Sequence, residues 1–145
     1  SNIVALDVIR SIKRDDTLGY LQRYLEQLLK AEQIPPASRS ALERSLQQVL
    51  RFVGAVVEAD DDVDVRRAAS ALYHITTAIF FAWEAAQLAQ TSQDYRRLAL
   101  AHLLLKHKLL PADPLAAAID PHQQKILQAL LDDAVLTSAD AMELL

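Results

Sequence analysis

Hydrophobic side chains recur along this chain at steps of three and four, interrupted by short acidic or proline-bearing stretches. Ile3, Leu6, Val8, Ile9 and Ile12 predict a short helix over Ile3–Arg14, broken by Asp15 and Asp16. Either aspartate is expected to cap a second helix, Thr17–Gln33, because its carboxylate can accept hydrogen bonds from unpaired first-turn amides. Leu18, Leu21, Leu25 and Leu28 give that helix one apolar face, and Glu26 and Lys30 have i,i+4 ion-pair spacing on the outside. Gly19 is its weak point, costing about 1 kcal/mol relative to alanine. "IPPAS" (Ile34–Ser38) stops the pattern, since proline neither donates the helical hydrogen bond nor favours helix before it. Ser40 and Glu43 then have capping-box spacing. The third helix is expected to run to Ala59, with Leu42, Leu46, Val49, Val53 and Val56 as a narrow seam.

"EADDDVD" (Glu58–Asp64) reads as a solvated turn whose acids cap the next helix. A calcium loop would need a glycine at its bend and alternating oxygen ligands, which this run lacks. The fourth helix is expected over 63–90 and contains "ALYHITTAIFFAWEAAQLA" (Ala71–Ala89), apolar almost all round. A membrane span needs about 20 apolar residues. His74, Glu84 and Gln87 interrupt this one, a mid-membrane carboxylate is costly, and the flanks Arg66-Arg67 and Arg96-Arg97 give no charge asymmetry. The segment therefore reads as the buried centre of a bundle. Leu72, Ile75, Ile79 and Trp83 form a stripe, Tyr73, Phe80 and Phe81 extend it, and alanines such as Ala68, Ala78 and Ala82 admit close neighbours. Thr76 and Thr77 can bond back to carbonyls one turn earlier.

A fifth helix is expected from Ser92 or Gln93 to Leu109, ended by "LLPADP" (Leu109–Pro114). A turn at Leu115–Ile119 and a helix over His122–Ala134 follow, with Asp120 as cap and Pro121 in the first turn. Ser138–Leu145 closes the chain as a short helix or a frayed end. The pattern predicts an all-α antiparallel helical bundle of five or six helices around the buried 63–90 helix, forming one domain over residues 1–145.

Composition sharpens this picture. The chain has 145 residues, 52% hydrophobic and 23% charged, which suits a folded core. Two glycines leave little provision for hairpins. The absence of cysteine excludes disulfides and thiolate chemistry, and the expected compartment is the cytoplasm. A net charge of −4 argues against nucleic acid or an anionic membrane surface as partner. Ser1-Asn2 reads as the remnant of a cleaved tag, with the domain excised from a longer C-terminal region.

Catalytic motifs are not found. Glycines only at Gly19 and Gly54 rule out G-x-S-x-G, the Walker P-loop and G-x-G-x-x-G. Four histidines raise a metal question, but there is no Glu-x-x-His or H-E-x-x-H, and His102 and His107 lie about 140° apart around their helix. No catalytic, cofactor-binding or metal-ligating residue is assigned. The polar residues singled out as functional or interface candidates are His74, Glu84, Arg96, Arg97 and His107. His74 is expected to bond a backbone carbonyl or a carboxylate. Glu84, ~15 Å further along the same helix, is expected either to meet an arginine from another helix or to lie where the fourth helix emerges.

"RRAASALYHITTAIFFAWEAAQL", followed by "DYRRLALAHLLLKHKLLPADPL", resembles the C-terminal tail of bacterial acyl-CoA dehydrogenase-family proteins. The resemblance runs through Leu72-Tyr73-His74, Thr76-Thr77, Ala82-Trp83-Glu84-Ala85, Arg96-Arg97, Lys106-His107-Lys108, Pro111, Asp113 and Pro114, and covers about residues 66–115. It implies a parent flavoprotein in which a glutamate abstracts a proton from an acyl thioester and hydride passes to FAD. No residue here matches that glutamate or the flavin contacts, and there is no room for the family's β-domain. The implied role is a non-catalytic helical tail without cofactor of its own, serving packing, oligomer assembly or docking. Its partner would be the parent enzyme or a second copy, as a homodimer. The alternatives are an independent protein-interaction or regulatory module, and a ligand or metal protein centred on His74 and Glu84.

Overall fold

The computed structural model describes residues 2–59, 62–110 and 121–145. Among them the chain forms seven α-helices and one π turn, with no strand. These are α1 (Asn2–Asp15), α2 (Thr17–Leu29), α3 (Pro36–Ala59), α4 (Val65–Ala89), α5 (Arg96–Leu104), the π turn Leu105–Leu109, α6 (Pro121–Leu131) and α7 (Ser138–Met142). The chain is an all-α helical bundle. α7, which the hydrophobic pattern left between helix and frayed end, is the seventh helix.

α4 is the hub and packs against α1, α2, α3, α5 and the π turn. Its stripe residues Leu72, Ile75 and Ile79 are buried, as are Ala68, Ala78, Ala82, Ala85 and Ala86. The whole α3 seam, from Leu42 to Val56, is buried against it. At about 25 cal/mol per Å2 of apolar surface removed from water, this shared core is the main source of stability. α4 is nevertheless not enclosed all round: Tyr73 is 68% exposed and Phe80 36%. Thr77 sits in this open sector and bonds back to the Tyr73 carbonyl at 2.8 Å.

The helix ends differ from the sequence expectations in instructive ways. Asp16 caps nothing; it adopts a left-handed conformation (φ 50°), which aspartate tolerates, and the backbone itself makes the break between α1 and α2. α2 stops at Leu29, short of Gln33: Lys30 N and Ala31 N turn back to Gln27 O and Leu28 O, and Arg39 takes the last α2 carbonyl together with two of the turn beyond. Arg39 donates to Leu29 O (2.7 Å), Ala31 O (2.9 Å) and Ile34 O (3.3 Å). Glu26 accepts from Gln22 and Gln47 rather than pairing with Lys30. α3 starts at Pro36, ahead of the expected Ser40 box, because a proline in the first turn gives up an amide that has no helical partner anyway. Asp64 stands at the start of α4 without capping it; its carboxylate meets Arg67 at 2.8 Å.

α5 begins at Arg96, later than expected, after a left-handed Gln93. Its continuation changes winding: Leu110 N donates to Leu105 O at 2.8 Å, the wider i→i+5 bond of a π turn. α6 ends at Leu131, before the expected Ala134. α7 opens with a complete capping box, in which the Thr137 hydroxyl accepts from Asp140 N and the Asp140 carboxylate accepts from Thr137 N. The expected turn at 115–119 and the Asp120 cap lie outside the described residues.

Candidate functional site

Of the five polar residues singled out from the sequence, Glu84 and Arg97 meet and the other three are placed apart. His74 lies on α4, half-buried, with Nδ1 3.3 Å from Ser70 Oγ one turn earlier and its ring edge-on to Tyr73. Its partner is thus a hydroxyl on its own helix, not the expected carbonyl or carboxylate. Glu84 is exposed near the other end of α4 and receives Arg97 Nε from α5 at 2.8 Å, an arginine from another helix. Arg96 turns back to bridge Asp94 (2.7 Å) and Asp133, tying the start of α5 to the end of α6. His107, on the π turn, accepts from the Gln123 side-chain amide of α6 at 2.6 Å. His74 and Glu84 do not converge; each is engaged with a different neighbour.

Asp94 shows how α5 is started. Burial raises its pKa, but the Arg96 side chain and backbone, and a backbone bond from Leu136, outweigh this and hold the carboxyl below its usual value. Tyr95 N also donates to Leu136 O at 3.0 Å, so the start of α5 is stitched to the segment leading into α7.

The most elaborate polar arrangement was not among the candidates. His102 of α5 is 1% exposed and Ser38, in the first turn of α3, is fully buried. Ser38 Oγ lies 2.8 Å from His102 Nε2, and His102 Nδ1 lies 2.7 Å from the Ala141 carbonyl of α7. A carbonyl can only accept, so Nδ1 carries the proton and Nε2 is the acceptor. The Ser38 hydroxyl therefore donates to Nε2. Met142 Sδ is also near Ser38 Oγ, at 3.1 Å, but a thioether is the weaker acceptor and the hydroxyl has one proton to give. Desolvation by burial pushes the His102 pKa below its ordinary 6.5 and outweighs the carbonyl, which pulls the other way; the ring is neutral at pH 7.

A serine donating to an imidazole that is oriented by a third group resembles a nucleophile and its base. Here, however, the hydroxyl is sealed under Met142 and is inaccessible to an acyl carbonyl. The geometry instead joins three helices, α3, α5 and α7, at one imidazole. The sequence did carry a signal: His102 falls on the buried face of α5 with Leu98, Ala99, Ala101 and Leu105. A polar group at such a position must find partners in the core.

Two further features describe the surface. Among the described residues, no three histidine or carboxylate side chains come together as metal ligands, and no helix is long and apolar enough to cross a membrane. A wide groove of about 670 Å3 runs over α1, α2 and α4, floored by Val8, Leu21 and Leu72 and walled by Val4, Tyr73 and Phe80. Tyr24 of α2 packs on Phe80 at a centroid distance of 6.1 Å along one edge. No protein-family model, curated protein or solved structure matches this chain.

Proposed function

We propose that this chain is a non-catalytic helical domain that works by association, and that the α1–α2–α4 groove is its contact surface with a second copy of itself. The observation that supports this reading is the apolar groove and its projecting neighbours. Val4 is 61% exposed and Tyr73 68%, and Val8, Tyr20 and Tyr24 are also open to solvent on these helices. A contiguous apolar patch of this kind is uncommon on a monomer. A two-fold contact requires one face to supply both recess and projection. Here Val8, Leu21 and Leu72 form the recess, and Val4, Tyr24 and Tyr73 stand out around it.

If the resemblance of residues 66–115 to acyl-CoA dehydrogenase tails holds, this association would serve a flavoprotein assembly whose FAD would be held by the parent enzyme. The same groove would serve an independent interaction module equally well. Sedimentation equilibrium at about 100 μM, a concentration chosen to populate a micromolar dimer, tests the reading. The expected outcome is a dimer that Val4→Glu with Tyr73→Glu converts to a monomer of unchanged helicity. A wild-type monomer at that concentration overturns the reading, and saturable uptake of FAD by the isolated chain overturns its non-catalytic part.

A further inference from the structure

A second cleft, of about 490 Å3, opens between α3, α4 and the π turn, and its chemistry is opposite to that of the apolar groove. Arg66, Arg67 and Lys108 line it together with Gln48 and Ser70, over a floor that includes Val49, Phe52 and Leu109; no carboxylate is among its lining residues. Arg67 is occupied, lying over the Phe52 ring at 5.3 Å and pairing with Asp64 just outside. Arg66 and Lys108 hold no ion pair among the described residues. Two cations facing one cleft, with no carboxylate paired to them among the described residues, repel each other, on a chain whose net charge is −4.

The π turn supplies an independent observation. A helix continuing regularly from α5 would bring residues 105–109 round with 3.6 residues per turn. The wider turn re-aims them, so that Lys108 reaches this cleft while Lys106 lines a neighbouring one beside Arg44 and Gln48. Such turns are rare and occur frequently at functional sites.

We propose that this cleft binds a small organic phosphate. The dianionic group would sit between Arg66 and Lys108, with Gln48 as a neutral donor and the Ser70 hydroxyl as another where His74 Nδ1 carries the proton of their shared bond, and its apolar or aromatic part would lie against Phe52 and Leu109. Guanidinium matches phosphate geometry through paired N–H donors, and ammonium adds a compact charge. A volume of this size suits a small molecule rather than a bare ion. Arg66 and Ser70 stand on the ridge shared with the apolar groove, but the anion site needs no dimer and stands independently of the association proposed above.

The test is a 15N-NMR titration of the full chain with phenyl phosphate, inorganic phosphate and phenol as probes. Phenyl phosphate is expected to shift the amides around Ser70, Arg66 and Lys108 saturably, inorganic phosphate more weakly, and phenol not at all. Arg66→Gln with Lys108→Gln is expected to weaken phenyl phosphate by about tenfold or more, while Arg10→Gln on α1 leaves it unchanged. The proposal is overturned if the shifts stay linear to tens of millimolar, if Arg10→Gln weakens binding as much as the cleft variant, or if phenol shifts the same amides. It is equally overturned if phosphatidylserine vesicles bind the chain through these residues while phenyl phosphate does not, since the face would then be a membrane contact. Repeating the titration on the monomeric Val4→Glu/Tyr73→Glu variant separates the two proposals, because loss of the dimer leaves the phosphate response in place.

Discussion

Ser38 and His102, sixty-four residues apart in the chain, share a hydrogen bond of 2.8 Å in the interior, and the same imidazole holds the Ala141 carbonyl of the C-terminal helix. Removing either partner leaves a buried polar atom with nothing to bond, which costs more than the bond's net worth. Ser38→Ala is expected to destabilise the fold by about 1–3 kcal/mol, and His102→Ala, which also opens a cavity, by about 2–5 kcal/mol. Urea denaturation followed by circular dichroism checks both. A change below about 0.5 kcal/mol for Ser38→Ala would mean the hydroxyl contributes nothing to holding α5 and α7.

The same imidazole sets a pH dependence. Its folded pKa is lowered from 6.5, so the unfolded chain takes up the proton first as pH falls. The stabilisation is complete above pH 6.5 and is lost progressively as pH drops below that value toward the folded pKa. Asp94 and Asp140 act in a lower window. Arg96 overcomes burial at Asp94, and the Thr137 side chain and backbone hold Asp140 down, so both contribute above 3.8 and lose that contribution on further acidification. Urea midpoints measured from pH 7.5 to 5 should fall for the wild type and fall less for His102→Gln. Equal slopes would contradict the assignment of the neutral ring.

Gly54 lies within the last third of α3 without a steric reason, since a Cβ placed there meets nothing within 4 Å. Gly54→Ala is expected to stabilise the protein by about 1 kcal/mol through helix propensity and a less disordered unfolded state. Thermal melting should show a rise of several degrees, about 2–8 °C for a chain of this size.

What the sequence made legible follows from the range of each interaction. The α3 seam and the α4 stripe are periodic within one segment, and Leu42, Leu46, Ile75 and Ile79 are buried as that periodicity requires. The π turn could not be read in this way: five residues are too few for a change of winding to show against a 3.6-residue period. The pattern puts the start of α3 too late because Pro35 and Pro36 read as breakers, whereas a proline at the first helical position is compatible with helix. The spacing of His102 from His107 bears only on a metal pair. The partners of His102, Ser38 and Ala141, belong to other helices, and no local spacing announces them. Arg96, Arg97 and Glu84, functional or interface candidates on sequence grounds, are engaged in ties between elements.

The corner between α2 and α3 has one more consequence. Helices usually close with a glycine in the left-handed conformation, supplied by the residues at the end itself. This chain has no positive-φ glycine, and the last carbonyls before the corner are gathered by Arg39, which belongs to the following helix. The bend is therefore written from downstream. The angle between α2 and α3 is thereby tied to a side chain of α3, and the two move as one unit at their corner.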